Sequence, residues 1–139
     1  MGKFSNQLHK NIKKLTTSTQ DNMELAMNKS IKIMSSEAKS FCPVDTGQLR
    51  NSIMTDSFTM NDKTYGEVYT NCEHGVYVEF GTGQRGSETN RNEEVEGITY
   101  REDWKGQVAQ PFMYPAYKNT YKDVIITFGK EIGKANKLW

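Results

Sequence analysis

Residues 21–47 read DNMELAMNKSIKIMSSEAKSFCPVDTG, a long helical face that meets an abrupt stop. Met23, Met27, Ile31, Met34, Ala38 and Phe41 recur at spacings of three and four, the period of an amphipathic α-helix. Cys42-Pro43 ends the run, because a residue before proline avoids the α region. Working backwards, Leu15, Ile12 and Leu8 extend the same face, with only the turn around Thr19 out of step. The spacing predicts a helix from about residue 5 to Phe41, with the polar run Thr16-Thr17-Ser18-Thr19 as the point where it can divide in two. Such a helix presents more apolar surface than a small sheet covers, so part of its stripe is expected to face another subunit.

Working forwards, Val44-Asp45-Thr46-Gly47 reads as a turn, with Asp45 as the expected N-cap of a short helical turn through Arg50. Asn51 to about Met60 has strand composition, Asn61-Asp62-Lys63 is a hairpin turn, and Thr64–Thr70 is the partner strand. Val76-Tyr77-Val78-Glu79-Phe80 reads as a further short strand ending at Gly81-Thr82-Gly83. Residues 84–107 are rich in charge and poor in apolar side chains, which suggests a polar arm, or a hairpin around Ile98-Thr99-Tyr100. Pro111-Phe112-Met113-Tyr114-Pro115 leads into a second helix, with Pro115 tolerated in its first turn. The apolar face of that helix is Tyr117, Tyr121, Val124, Ile125, Phe128 and Ile132. Gly129 and Gly133 weaken its end by ~1 kcal/mol each relative to alanine.

Together these readings predict one α+β domain over residues 1–139. It comprises an N-terminal helix at 1–41, turn and sheet at 42–83, the arm at 84–107, and a final strand or loop with the C-terminal helix at 108–135. The expected sheet is antiparallel with about four strands. A chain of 139 residues suits one compact domain with a single modest core.

Net charge is only +1, but it is unevenly distributed. Residues 1–45 carry +3, residues 46–117 carry −5 and residues 118–139 carry +3. Head-to-tail association of unlike surfaces is one use of that pattern, and two solvated helix faces beside an acidic loop is the other. No signal peptide and no run of transmembrane length is present, so synthesis in a reducing cytoplasm with Cys42 and Cys72 free is expected.

The candidate chemical motifs are weak. Asp45-Thr46-Gly47 is the tripeptide of aspartic proteases, yet a helix end and Pro43 precede it where that site needs a hydrophobic strand. Gly81-Thr82-Gly83-Gln84-Arg85-Gly86 matches G-x-G-x-x-G, but Ser87–Asn92 has no apolar face to pack the helix that phosphate binding requires. Cys72, His74, Cys42 and His9 offer one close pair of metal ligands, where structural zinc uses two. Lys10, Lys13, Lys14, Lys29, Lys32 and Lys39 on the first helix make a small nucleic-acid-binding protein the alternative reading, although Asp21, Glu24 and Glu37 offset them. No catalytic residue, cofactor or metal site is expected.

Three blocks resemble the lambdoid phage HK ninety-seven gene-product-ten-like family of minor tail or neck proteins of siphophages and prophages. Pro43-Val44-Asp45-Thr46-Gly47-Gln48-Leu49-Arg50-Asn51-Ser52 is similar to the family's Pro-Val-Asp-Thr-Gly-x-Leu-Arg-x-Ser. Tyr77-Val78-Glu79-Phe80-Gly81-Thr82 is similar to its Tyr-Val-Glu-Phe-Gly-Thr. Ala109-Gln110-Pro111-Phe112-Met113, followed by Pro115-Ala116, is similar to its Ala-Arg-Pro-Phe-Met block, with Gln110 in place of the usual arginine. The resemblance implies an α+β structural subunit of the virion without catalysis, at the head–tail junction, neck or tail-completion position. It further implies a ring of about six copies, the tail's symmetry, touching head-closure and tail-tube proteins while DNA passes through the lumen, with no membrane contact. Arg50 and Glu79, opposite in charge and in two different blocks, are expected to pair, and the arm at 84–107 to order against a neighbour or line the lumen.

Overall fold

A computed structural model describes residues 2–91 and 97–135 of the chain. Helix α1 spans Gly2–Phe41 without a break. Thr17 and Thr19 explain why the polar run does not divide it: their hydroxyls donate to the carbonyls of Lys13 and Leu15, both at 3.0 Å, so the polarity is absorbed within the helix. At 1.5 Å per residue, 40 residues make a rod about 60 Å long. The stop falls at Cys42-Pro43, as the sequence predicts.

Helix α2 (Gln48–Asn51) follows the turn. Its N-cap is Gly47, in the left-handed region at φ 81°, rather than Asp45, which is exposed. The nearby Gln48 N–H donates to Thr46 Oγ1 at 3.3 Å. Strands β1 (Ile53–Met60) and β2 (Lys63–Thr70) then form an antiparallel hairpin. Asn61 and Asp62 both take positive φ, 51° and 60°, as the two-residue turn matched to strand twist requires.

The hairpin is the whole of the sheet among the described residues: two strands, where about four were expected. One of the missing strands is the Val76–Phe80 segment, which is helix α3 (Gly75–Phe80). A five-residue apolar run does not distinguish strand from helix by periodicity alone. The helical period sends Val76 and Tyr77 outward and Glu79 inward. A two-stranded hairpin needs packing to persist, and α1 supplies it. The crossing point is marked by Gly66, where a Cβ would lie 2.7 Å from both Met27 and Ile31. Ser57, paired with Gly66 across the hairpin, donates its hydroxyl to the carbonyl of Glu24 at 3.0 Å.

Helix α4 (Gly83–Thr89) follows directly, which corrects the expectation of a polar loop after Gly83. The described part of the 84–107 arm also folds against its own chain instead of standing free. Thr82 and Gln107 exchange backbone hydrogen bonds at 2.9 and 3.0 Å, and Gln84 and Arg85 N–H donate to the carbonyls of Trp104 and Lys105 at 2.9 Å. Tyr100 O–H donates to the carbonyl of Phe80 at 2.8 Å. Gly83 and Gly106, both at positive φ, make that closeness possible; a Cβ on Gly106 would fall 1.9 Å from the Thr82 carbonyl. The glycines of the G-x-G-x-x-G match are therefore filled by the chain's own backbone. Residues 92–96 of the arm lie outside the described residues.

Helix α5 (Met113–Ala135) runs antiparallel along the C-terminal half of α1. Ala38 and Ala116 share the core at one end, and Lys29 reaches Glu131 at 3.1 Å further along. Pro115 falls in the first turn of α5, where its missing N–H costs no helical bond. The core itself is small: Ala38, Cys42, Leu49, Ile53, Phe112 and Ala116, with Met34, Val68, Cys72, Val78 and Met113 around it.

Candidate functional site

The three sequence blocks converge on one end of the molecule, where α1 stops. Leu49 from the first block and Phe112 and Ala116 from the third are buried together in the core. The second block supplies Glu79, 6% exposed, between them. Its Oε2 accepts from the N–H of Phe112 at 2.7 Å and of Met113 at 2.9 Å, and its Oε1 accepts from the N–H of Tyr114 at 3.0 Å. These amides open α5 and have no partner within the helix. A carboxylate there also lies at the positive end of the helix dipole. The adjoining backbone is tied too, with Gln110 N–H donating to the Val78 carbonyl at 2.8 Å.

Glu79 is thus a remote N-cap that joins the second and third blocks. Arg50 was its expected partner from the sequence. The ion pairs among the described residues are Lys29–Glu131, Lys134–Glu131 and Arg101–Asp103, and Arg50 is exposed on α2. A signal for the cap was present in the sequence: Gln110-Pro111-Phe112 offers α5 no Ser, Thr, Asp or Asn cap of its own.

The other block residues divide between inside and outside. Gly81 is buried, Thr82 bridges to Gln107, and Phe80, Pro43, Pro111 and Pro115 are half-buried. Asp45, Thr46, Arg50 and Tyr77 are exposed. On the outside the first two blocks border an open groove of about 790 Å³, whose apolar lining includes Val44, Leu49, Tyr77 and Trp104. Tyr77 and Trp104 are 55% and 53% exposed. The ionisable groups on this lining are Asp45, His74 and Tyr77, so no paired carboxylates or nucleophile–base couple faces the groove. Cys72 Sγ lies 3.2 Å from the His74 ring nitrogens, and no group of three or more potential metal ligands occurs among the described residues. Burial pushes the Cys42 thiol up, away from the reactive thiolate.

A second unusual surface lies at the far end of α1. Every described side chain from Lys3 to Thr19 is exposed, so about 27 Å of helix projects past the packed body. Leu8, Ile12 and Leu15 on it are 49%, 55% and 71% exposed. No described helix is long and apolar enough to cross a membrane.

Residues 6–81 match the family model described as "Bacteriophage HK97-gp10, putative tail-component". The match takes in α1 from residue 6, the hairpin, the first sequence block and the second as far as Gly81, and stops before the third. No curated protein and no solved structure matches the chain. With more than half of its length matched, the chain belongs to the HK97-gp10-like family of bacteriophage tail components.

Proposed function

We propose that this protein is a non-catalytic structural subunit of a tailed phage or prophage, forming a ring of about six copies at the head–tail junction as a neck or tail-completion component. The observation that carries the reading is the projecting half of α1. Leu8, Ile12 and Leu15 expose apolar surface on a stretch of helix whose described side chains are all exposed, which suits a subunit completed by its neighbours. The family's tail-component description supports the virion as its place of work. In this reading, the buried block residues keep the end of the molecule rigid, and the exposed ones, Asp45, Thr46, Arg50 and Tyr77, meet other virion proteins. Head-closure and tail-tube proteins are the neighbours, DNA crosses the lumen, and the subunit is made in the host cytoplasm.

Disrupting the gene in its phage or prophage tests this. The expected result is full heads and separate tails, with joining restored by the gene in trans and the protein located at the neck by electron microscopy. Normal virions without the gene would refute the role. A second reading, nucleic-acid binding, draws on Lys3, Lys10, Lys13 and Lys14, four cations with no acidic residue among positions 2–20. It requires a duplex gel shift with a steep salt dependence.

A further inference from the structure

We infer that the projecting half of α1 docks into the Val44–Tyr77–Trp104 groove of the next copy of this chain, so that subunits join head to tail. The inference deepens the ring reading and rests on it.

The apolar stripe is continuous along α1. At 100° per residue, Leu8, Leu15, Ala26 and Ile33 lie within about 20° of one another around α1, and Ile12 and Ser30 lie about 40° to one side. In the packed half this line runs beside Lys29, which bonds Glu131 of α5, while Met27 and Ile31 turn to the hairpin. The stripe that seats α5 therefore continues into the projecting half, where every described side chain is exposed.

The stripe and the groove lie far apart on one molecule. The groove begins at Pro43, just past the C-terminal end of α1, and the stripe lies at the other end of the same helix. From Leu15 to Phe41 the unbroken helix spans about 39 Å. A copy cannot fill its own groove, so the contact joins two different patches on two molecules. Such a heterologous contact closes into a ring or runs on as a filament.

The charges are complementary: residues 2–20 carry four lysines and no acid, and Asp45 is the acidic side chain on the groove's lining. The competing apolar receptor on a neighbour is the Tyr117–Tyr121–Ile125 stripe of α5. Residues 117–134 carry four lysines against Asp123 and Glu131, a net +2, so a basic helix is disfavoured there.

A two-variant experiment tests the contact on the full chain. Ile12→Asp places a charge on the stripe and leaves the groove intact; Trp104→Asp does the reverse. Both positions are exposed, and matching circular dichroism melts verify that each variant folds. By sedimentation, the wild type is expected to associate with rising concentration, and each variant alone to lose at least ~100-fold in affinity. Mixed together, the two variants are expected to form 1:1 dimers and nothing larger, because only one intact stripe and one intact groove remain to meet. Overturning results are a wild type that stays monomeric to about 1 mM, an effect of Ile12→Asp without one of Trp104→Asp, or variants that fail to dimerise on mixing. If the wild type forms rings that neither variant disturbs, the docking contact is refuted and the ring reading stands.

Discussion

The two halves of α1 have the same apolar spacing and opposite fates. From Asn22 to Ala38 the helix is gripped by the hairpin on one side and α5 on the other, with Ala26, Ser30, Ile31, Ser35 and Ala38 buried. From Lys3 to Thr19 every described side chain is exposed. The difference shows that a 3.6-residue stripe specifies a face to be covered and leaves open which molecule covers it. In the gripped half the covering elements lie later in the same chain; in the projecting half no described element covers it.

The sharpest way to break the gripped half is through the cap that seats α5. Glu79→Ala leaves three helix-opening amides, one buried and two half-buried, without their carboxylate and is expected to lower stability by about 3 kcal/mol, read from urea unfolding. Glu79→Gln, keeping one acceptor oxygen, is expected to recover part of that loss. Next comes the crossing point: Gly66→Val drives a side chain into Met27 and Ile31 and is expected to cost about 1–3 kcal/mol.

The projecting half is expected to respond in the opposite way. Leu15→Asp should change the unfolding free energy of the monomer by no more than about 0.5 kcal/mol, while association in sedimentation is lost. A large drop in monomer stability would mean that the two halves are not distinct.

The smallest expected effect lies at the α1–α5 ion pair. The hydrogen bond from Lys29 holds the Glu131 carboxyl below its usual value of 4.5. A depressed carboxylate stabilises the fold above its unfolded pKa, and that contribution fades as pH falls through the folded value. The Lys29→Met variant is therefore expected to match the wild type most closely in strong acid and to diverge slightly as pH rises past 4.5, followed by thermal melts.

How legible the molecule was in sequence depends on the range of the forces involved. Both long helices, the stop at Pro43 and the Asn61-Asp62 turn were readable, because each rests on local periodicity or backbone restriction. Val76–Phe80 was misread as a strand, since five apolar residues fit either period and tertiary packing chose the helix. Asp45 was misread as a cap, since the turn geometry gave that position to Gly47. The groove could not be read at all, because Val44, Tyr77 and Trp104 are distant in the chain and meet only after folding.

By itself the sequence determined where the chain is helical, where it must turn, and that its apolar stripe is longer than its own body can use. Its three blocks also carry the family likeness. Only the tertiary structure decided that Glu79 caps α5, and that the stripe is buried along one half and exposed along the other. The physical reason is that helix periodicity arises within a few residues, whereas a buried carboxylate's partners and a helix face's cover are chosen among all the groups the fold brings within reach.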